Sequence, residues 1–122
     1  MAERVRALRG AITLEGDTRD QVIERTAHLL QAMLERNGVE KSDLISIVFT
    51  ATDDIRSEFP AAAARSIGIS DIPLLCAREL DVEGAVGRCV RVLLHLYTKK
   101  DPSTLRHVYL EGAVPLRTDL PQ

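Results

Sequence analysis

The sequence predicts a small α+β domain in which one mixed β-sheet carries its helices on one face. Two observations point there. Residues 4–14, 44–51 and 88–98 alternate in hydrophobicity with period two or run rich in β-branched residues, as strands do. Between the first two lies one long stretch whose apolar residues recur at helical spacing. The order strand, helix, strand, short helix, then several strands suits a single sheet, and at 122 residues the chain is expected to form one domain, 1–122. A chain of this length buries about two thirds of its unfolded surface without help from disulfides.

Along the first strand Leu8, Gly10, Ile12 and Leu14 face one way, and Val5, Ala7, Arg9, Ala11 and Thr13 the other. Glu15-Gly16-Asp17 makes the turn. Thr18-Arg19-Asp20-Gln21 reads as a capping box with Thr18 as N-cap and Gln21 at N3. The helix runs to about Asn37, with Val22, Thr26, Leu29, Leu30 and Met33 on its buried stripe, His28 off it, and Gly38 placed to end it. Leu44 to Ala51 is the second strand. Pro60 opens a short helix, Ala61 to Ile67, ended by Gly68. Asp71 to Cys76 returns as a short strand, its Pro73 marking an edge or a strand start. Residues 81–87 form a loop, 99–102 a polar turn, 107–110 a last strand, and 112–122 a loop-like tail. Both faces of strand 88–98 are largely apolar, yet about two helices are available to cover the sheet. A face left bare is expected to bury itself against another subunit, so an oligomer is predicted.

Composition excludes several function classes. A net charge of -2 gives no global attraction to nucleic acid or to an anionic membrane. Aromatics at 3%, with no Trp, offer no platform for stacking bases. No apolar run approaches the ~20 residues that span a bilayer. The N-terminus lacks a signal-peptide core, and Cys76 and Cys89 form no CxxC pair, so a cytoplasmic protein is expected. His28, His95 and His107 have no metal-ligand spacing, and no metal or cofactor is expected. Nucleophile elbows and phosphate-binding glycine loops are absent.

Two arginines stand out, Arg9 and Arg91, each in mid-strand among apolar neighbours. A guanidinium there costs several kcal/mol unless an anion meets it. That anion is either an internal carboxylate, for which Glu79 is a candidate, or a ligand. Two such arginines in one small domain point towards a site for a small acid. Arginines outnumber lysines 13 to 3, and arginine is the better bidentate partner for carboxylates. Arg9, Arg65, Arg91, Arg117, Glu79 and Tyr109 suit a reaction that needs positioning and charge stabilisation rather than a covalent intermediate.

Five segments carry a family resemblance: Leu8-Arg9-Gly10-Ala11-Ile12-Thr13, Phe59-Pro60-Ala61, Cys76-Ala77-Arg78-Glu79, Cys89-Val90-Arg91-Val92, and the block from Arg106 to Leu120, Arg-His-Val-Tyr-Leu-Glu-Gly-Ala-Val-Pro-Leu-Arg-Thr-Asp-Leu. In order and spacing the chain resembles the monofunctional chorismate mutases of the AroH class nearly end to end. The resemblance implies a homotrimer with a pseudo-α/β-barrel core and active sites at the subunit interfaces. It implies the Claisen rearrangement of chorismate, a dicarboxylate, to prephenate, on the way to phenylalanine and tyrosine, with no cofactor. Arg91 would then stand beside the ether oxygen, Arg9 would hold a carboxylate, and Glu79 would accept from the ring hydroxyl. Tyr109 would bind the enolpyruvyl carboxylate. Cys76, Phe59, Leu75 and Leu116 would line the pocket, and Arg65 and Arg117 its mouth. The chain departs from the family in carrying Ala62 where a lysine is frequent and Leu75 where a threonine is, in a loop 66–71 one residue shorter, and in a short tail. The rival readings are an imine- or enamine-hydrolysing deaminase of similar trimeric architecture, and a trimeric metabolite-binding protein without activity.

Overall fold

The computed structural model describes residues 2–116. Strand β1 (Arg4–Thr13) leads to helix α1 (Arg19–Asn37), then β2 (Leu44–Ala51), α2 (Ala61–Ser66), β3 (Leu74–Arg78), β4 (Cys89–Thr98) and β5 (Val108–Leu110). Short 3-10 turns cover Lys41–Asp43, Pro102–Thr104 and Glu111–Leu116. The sheet has the order β3-β2-β4-β1-β5. β4 runs antiparallel to β1 and β2, while β3 lies parallel to β2 and β5 parallel to β1, so the sheet is mixed, as expected.

Helix α1 begins where Thr18 caps it. The Thr18 hydroxyl oxygen accepts from the Gln21 N–H at 3.1 Å, which satisfies one of the first-turn donors that no carbonyl can reach. The reciprocal half of the expected capping box is not made: Gln21 Oε1 accepts instead from the Glu15 N–H at 3.2 Å, closing the turn after β1. Gly38 ends the helix in the left-handed region, φ 61, where a residue without Cβ is unstrained. Buried Asn37 then ties this end to the lead-in of β5. Its Nδ2 donates to Met33 O and Arg106 O, and its Oδ1 accepts from the Arg106 N–H.

The core lies between α1, α2 and one sheet face. Leu8, Ile12, Ile47, Phe49, Val90, Leu94, Leu96 and Val108 meet Val22, Leu29, Leu30 and Met33 there, all almost wholly buried. Gly10 lets the helix come close: a Cβ at that position would stand 2.6 Å from Met33 Sδ.

The other face is mostly open. Leu75, Val5 and Tyr97 are 62%, 54% and 49% exposed, and Leu93 stands between them on β4. This is the bare apolar face expected from strand 88–98. Among the described residues only one end of it is covered, by the 3-10 turn Glu111–Leu116, whose Ala113 is buried against Ala11 and Cys89. The tail from residue 112 was expected as loop. Its described part, to Leu116, forms a 3-10 turn instead, because Ala113 has an apolar seat on the sheet. Strand β3 also lies later than residues 71–76, starting after Pro73, which has no N–H to give the ladder; its carbonyl accepts from the Ile47 N–H at 3.1 Å.

Candidate active site

Register decides which side chains meet. On the open face one transverse row joins Thr50 of β2, Arg91 of β4, Ala11 of β1 and Tyr109 of β5. The next row joins Leu75, Val48, Leu93 and Arg9. Residues paired across a ladder point to the same face. The two mid-strand arginines, Leu75 and Tyr109 therefore share one surface.

Glu79 reaches this surface from the residue after β3. Its backbone N–H donates to Ala51 O at 3.0 Å, continuing the pairing with β2 by one residue. Its carboxylate is held from three sides: Oε2 accepts from the Thr50 hydroxyl at 2.8 Å and lies 3.3 Å from Arg91 Nε, and Oε1 accepts from the Leu80 N–H at 3.0 Å. Arg91 thus has the internal carboxylate partner that its setting demands. Its Nε–H is buried, and the approach to Oε2 does not have hydrogen-bond geometry, so the pair neutralises charge without using that donor. The side chains remain 43% and 24% exposed. Beside Arg91, burial pushes the Cys89 thiol above its ordinary pKa, with the Arg91 charge opposing.

Arg9 is placed through its backbone. Its N–H donates to His107 Nδ1 at 2.9 Å, which puts the imidazole proton on Nε2. Burial, and then the Arg9 charge, lower the His107 pKa, so this residue stays neutral near pH 7. His107 holds β1 next to the start of β5 and so fixes Arg9 relative to Tyr109. Tyr109 packs, half-buried, with Leu116 over Ala11, Cys89 and Ala113.

Phe59 and Cys76 belong elsewhere. Both line a cavity of about 430 Å³, with Ile55, Ser57, Pro60 and Arg78. Cys76 pairs in register with Phe49, whose side chain faces the helices; Cys76 therefore points to the opposite side of the sheet from Arg91. The Phe59 loop is tethered at two points. Asp17 accepts from the Ser57 hydroxyl and from the N–H groups of Arg56 and Ser57, and these bonds, the hydroxyl's first, lower its pKa. Glu58 accepts from the Phe59 N–H at 2.8 Å and from Arg19 Nε at 2.9 Å, and its pKa is lowered by the same groups. Arg65 sits exposed in the last turn of α2 and adds its charge to that effect on Glu58. Arg117 lies outside the described residues.

The structure thus brings Arg91, Glu79, Arg9, Leu75, Tyr109 and Leu116 to one face and sets Phe59 and Cys76 on another side of the chain. Thr50 is a functional candidate that reading the sequence missed. Its signal was faint: with Ser46 it makes the polar side of an otherwise apolar strand. No group of three or more His, Cys, Asp or Glu suited to a metal ion occurs among the described residues, and no helix among them is long and apolar enough to cross a membrane.

Fold and site define an α+β domain with a mixed sheet that carries Arg9 and Arg91 on one face. Comparison with known proteins gives that class its family. The profile of chorismate mutase type I matches residues 5–120. A protein named chorismate mutase AroH from Thermus thermophilus is 48% identical over 117 residues, 95% of this chain and 96% of the relative. Its namesake in Bacillus subtilis is 38% identical over 117 residues, 95% and 92% of the two chains. A solved chorismate mutase from Clostridium thermocellum superimposes with a TM-score of 0.87 at 45% identity, covering 88% of this chain and 96% of that one. The chain belongs to the type I chorismate mutase family.

Proposed function

We propose that the protein converts chorismate to prephenate with the Arg91–Glu79 pair as its centre. Chorismate mutase is the activity of the family to which the chain belongs. The reaction is a unimolecular rearrangement in which one C–O bond breaks as one C–C bond forms. No proton has to move, so the protein's task is to fold the substrate and to meet charge where it grows. Arg91 meets the negative charge developing on the ether oxygen. Arg9 holds a carboxylate and favours the compact conformer, and Tyr109 holds the enolpyruvyl carboxylate. Glu79 accepts from the ring hydroxyl, while Phe59, Cys76, Leu75 and Leu116 enclose the rings. Arg65 and Arg117 draw the dianion to the mouth.

The observation that carries this reading is the Arg91 guanidinium: charged, half-exposed on an open sheet face, and 3.3 Å from a carboxylate to which its buried Nε–H makes no hydrogen bond. We further propose a homotrimer with a pseudo-α/β-barrel core and active sites between subunits. The placement of Cys76 on the opposite side of the sheet from Arg91 supports it. So does the bare apolar face around Val5, Leu93 and Tyr97. The unpaired Cys76 and Cys89 fit the expected cytoplasmic setting. The test is to mix purified protein with chorismate, follow the loss of its ultraviolet absorbance, and convert the product with acid to phenylpyruvate. Sustained turnover to prephenate is expected. Bound but unchanged chorismate would reject the reading.

A further inference from the structure

We infer that Thr50 is a positioning residue for this reaction, holding the Glu79 carboxylate so that Arg91 remains available to the substrate. The inference rests on the mutase reading above and assigns a role that reading does not contain. Thr50 sits in β2, one strand from the sheet edge, with β3 and β4 on either side. It is directly opposite Arg91 in the β2–β4 register. Its β-branched side chain has little rotamer freedom in a strand, so its hydroxyl is a rigid donor. An ionised carboxylate only accepts, so the 2.8 Å contact is Thr50 Oγ1–H to Glu79 Oε2. The same Oε2 faces Arg91 Nε at 3.3 Å.

Two donors thus compete for one oxygen, and the neutral one has the shorter contact. Without the Thr50 hydroxyl, Glu79 Oε2 has only Arg91 left to satisfy it. The carboxylate would swing about its last torsion and close on the guanidinium as a hydrogen-bonded pair. That rearrangement would turn Arg91 towards Glu79 and away from the reacting ether oxygen. It would also move the acceptor offered to the ring hydroxyl. Thr50 acts through Glu79 and touches no reacting atom itself. Loss of its hydroxyl should therefore lower kcat more than it raises KM. The expected loss is about tenfold in kcat, equivalent to ~1.4 kcal/mol, the low end of what a hydrogen bond to a charged group contributes.

The test compares Thr50→Val, a near-isostere lacking the hydroxyl, with Thr50→Ser, which restores it, using the full-length protein and chorismate. Thr50→Val should lose kcat by about tenfold with KM changed less than about threefold, and Thr50→Ser should regain most of the loss. In a Glu79→Ala background, adding Thr50→Val should cost less than about twofold, because the group it positions is gone. Thermal midpoints and oligomer mass, measured alongside, show whether the fold survives. Full activity in Thr50→Val, an equal loss in Thr50→Ser, or the same tenfold loss in the Glu79→Ala background would each overturn the role. Should the wild-type protein itself leave chorismate unchanged, the mutase reading fails first and the role of Thr50 falls with it.

Discussion

Replacing Arg91 with alanine separates what the guanidinium does for the fold from what it does for the reaction. In the fold it pairs with Glu79 across 3.3 Å, both side chains partly in solvent at 43% and 24% exposure. Pairs of that exposure contribute ~0–1 kcal/mol to stability, so the urea unfolding free energy of Arg91→Ala should fall by about 1 kcal/mol at most. In the reaction the arithmetic differs. A full negative charge about 3 Å from a guanidinium interacts by roughly 5 kcal/mol at an effective dielectric near 20. Only part of a charge develops as the ether bond breaks, which brings the loss near the ~3–4 kcal/mol measured for removing an oxyanion donor, or about 10²–10³ in kcat. The guanidinium also carries a full charge, so the upper end of that range or beyond is expected. The assay is initial-rate loss of chorismate absorbance at saturating substrate, with unfolding curves on the same preparations. A neutral isostere, citrulline at position 91, keeps the hydrogen-bonding shape without the charge and should recover only a small part of the rate. A loss below tenfold in a folded, correctly assembled Arg91→Ala protein would refute electrostatic stabilisation at this position.

Further outcomes follow from other parts of the structure. Because burial lowers the His107 pKa, the unfolded chain binds more protons than the native one between the lowered value and ~6.5. The stability from neutral His107 is thus complete above about pH 6.5 and is lost as pH falls below it; urea midpoints from pH 5 to 7.5 should show this slope, and His107→Gln should flatten it. Gly10→Ala would drive a Cβ to 2.6 Å from Met33 Sδ and should destabilise by ~1–3 kcal/mol, with part regained when Met33 is shortened to Val; an unchanged denaturation midpoint would disprove the close helix–sheet contact. Tyr97→Glu puts a charge on the bare face without touching a site residue and should reduce the mass seen by light scattering towards that of one chain, whereas an intact oligomer would remove the sheet face from the interface. Arg65→Ala, on the exposed turn of α2, should raise KM several-fold at low salt with kcat nearly unchanged, and the difference should shrink as salt screens it.

Much of this protein is decided locally, and what is local can be read directly from the chain. Alternation in residues 4–14 and 88–98 reflects the two-residue period of a strand with one buried face, and it placed Arg9 and Arg91 on the opposite face before any contact was known. The bounds of α1 follow from Thr18, whose hydroxyl replaces a missing helical acceptor, and from Gly38, which can turn left-handed without strain. Tertiary structure decided the rest, because pairing between distant strands has no local signature. Nothing near Thr50 announces that it will stand opposite Arg91, 41 positions away in the chain, or that Glu79 will swing onto both. Likewise, only the parallel register of β3 on β2 turns Cys76 towards the helices while Leu75 faces the open side. Burial demand also decided that residues 111–116 fold back as a turn over Ala11, where Ala113 is buried and Leu116 packs beside it. The sequence by itself determined where β1, β2 and β4 lie, which face each presents, and that a mid-strand arginine needs an anion; the long-range register, set by packing the apolar face under α1, decided that Glu79 and the Thr50 hydroxyl come to Arg91.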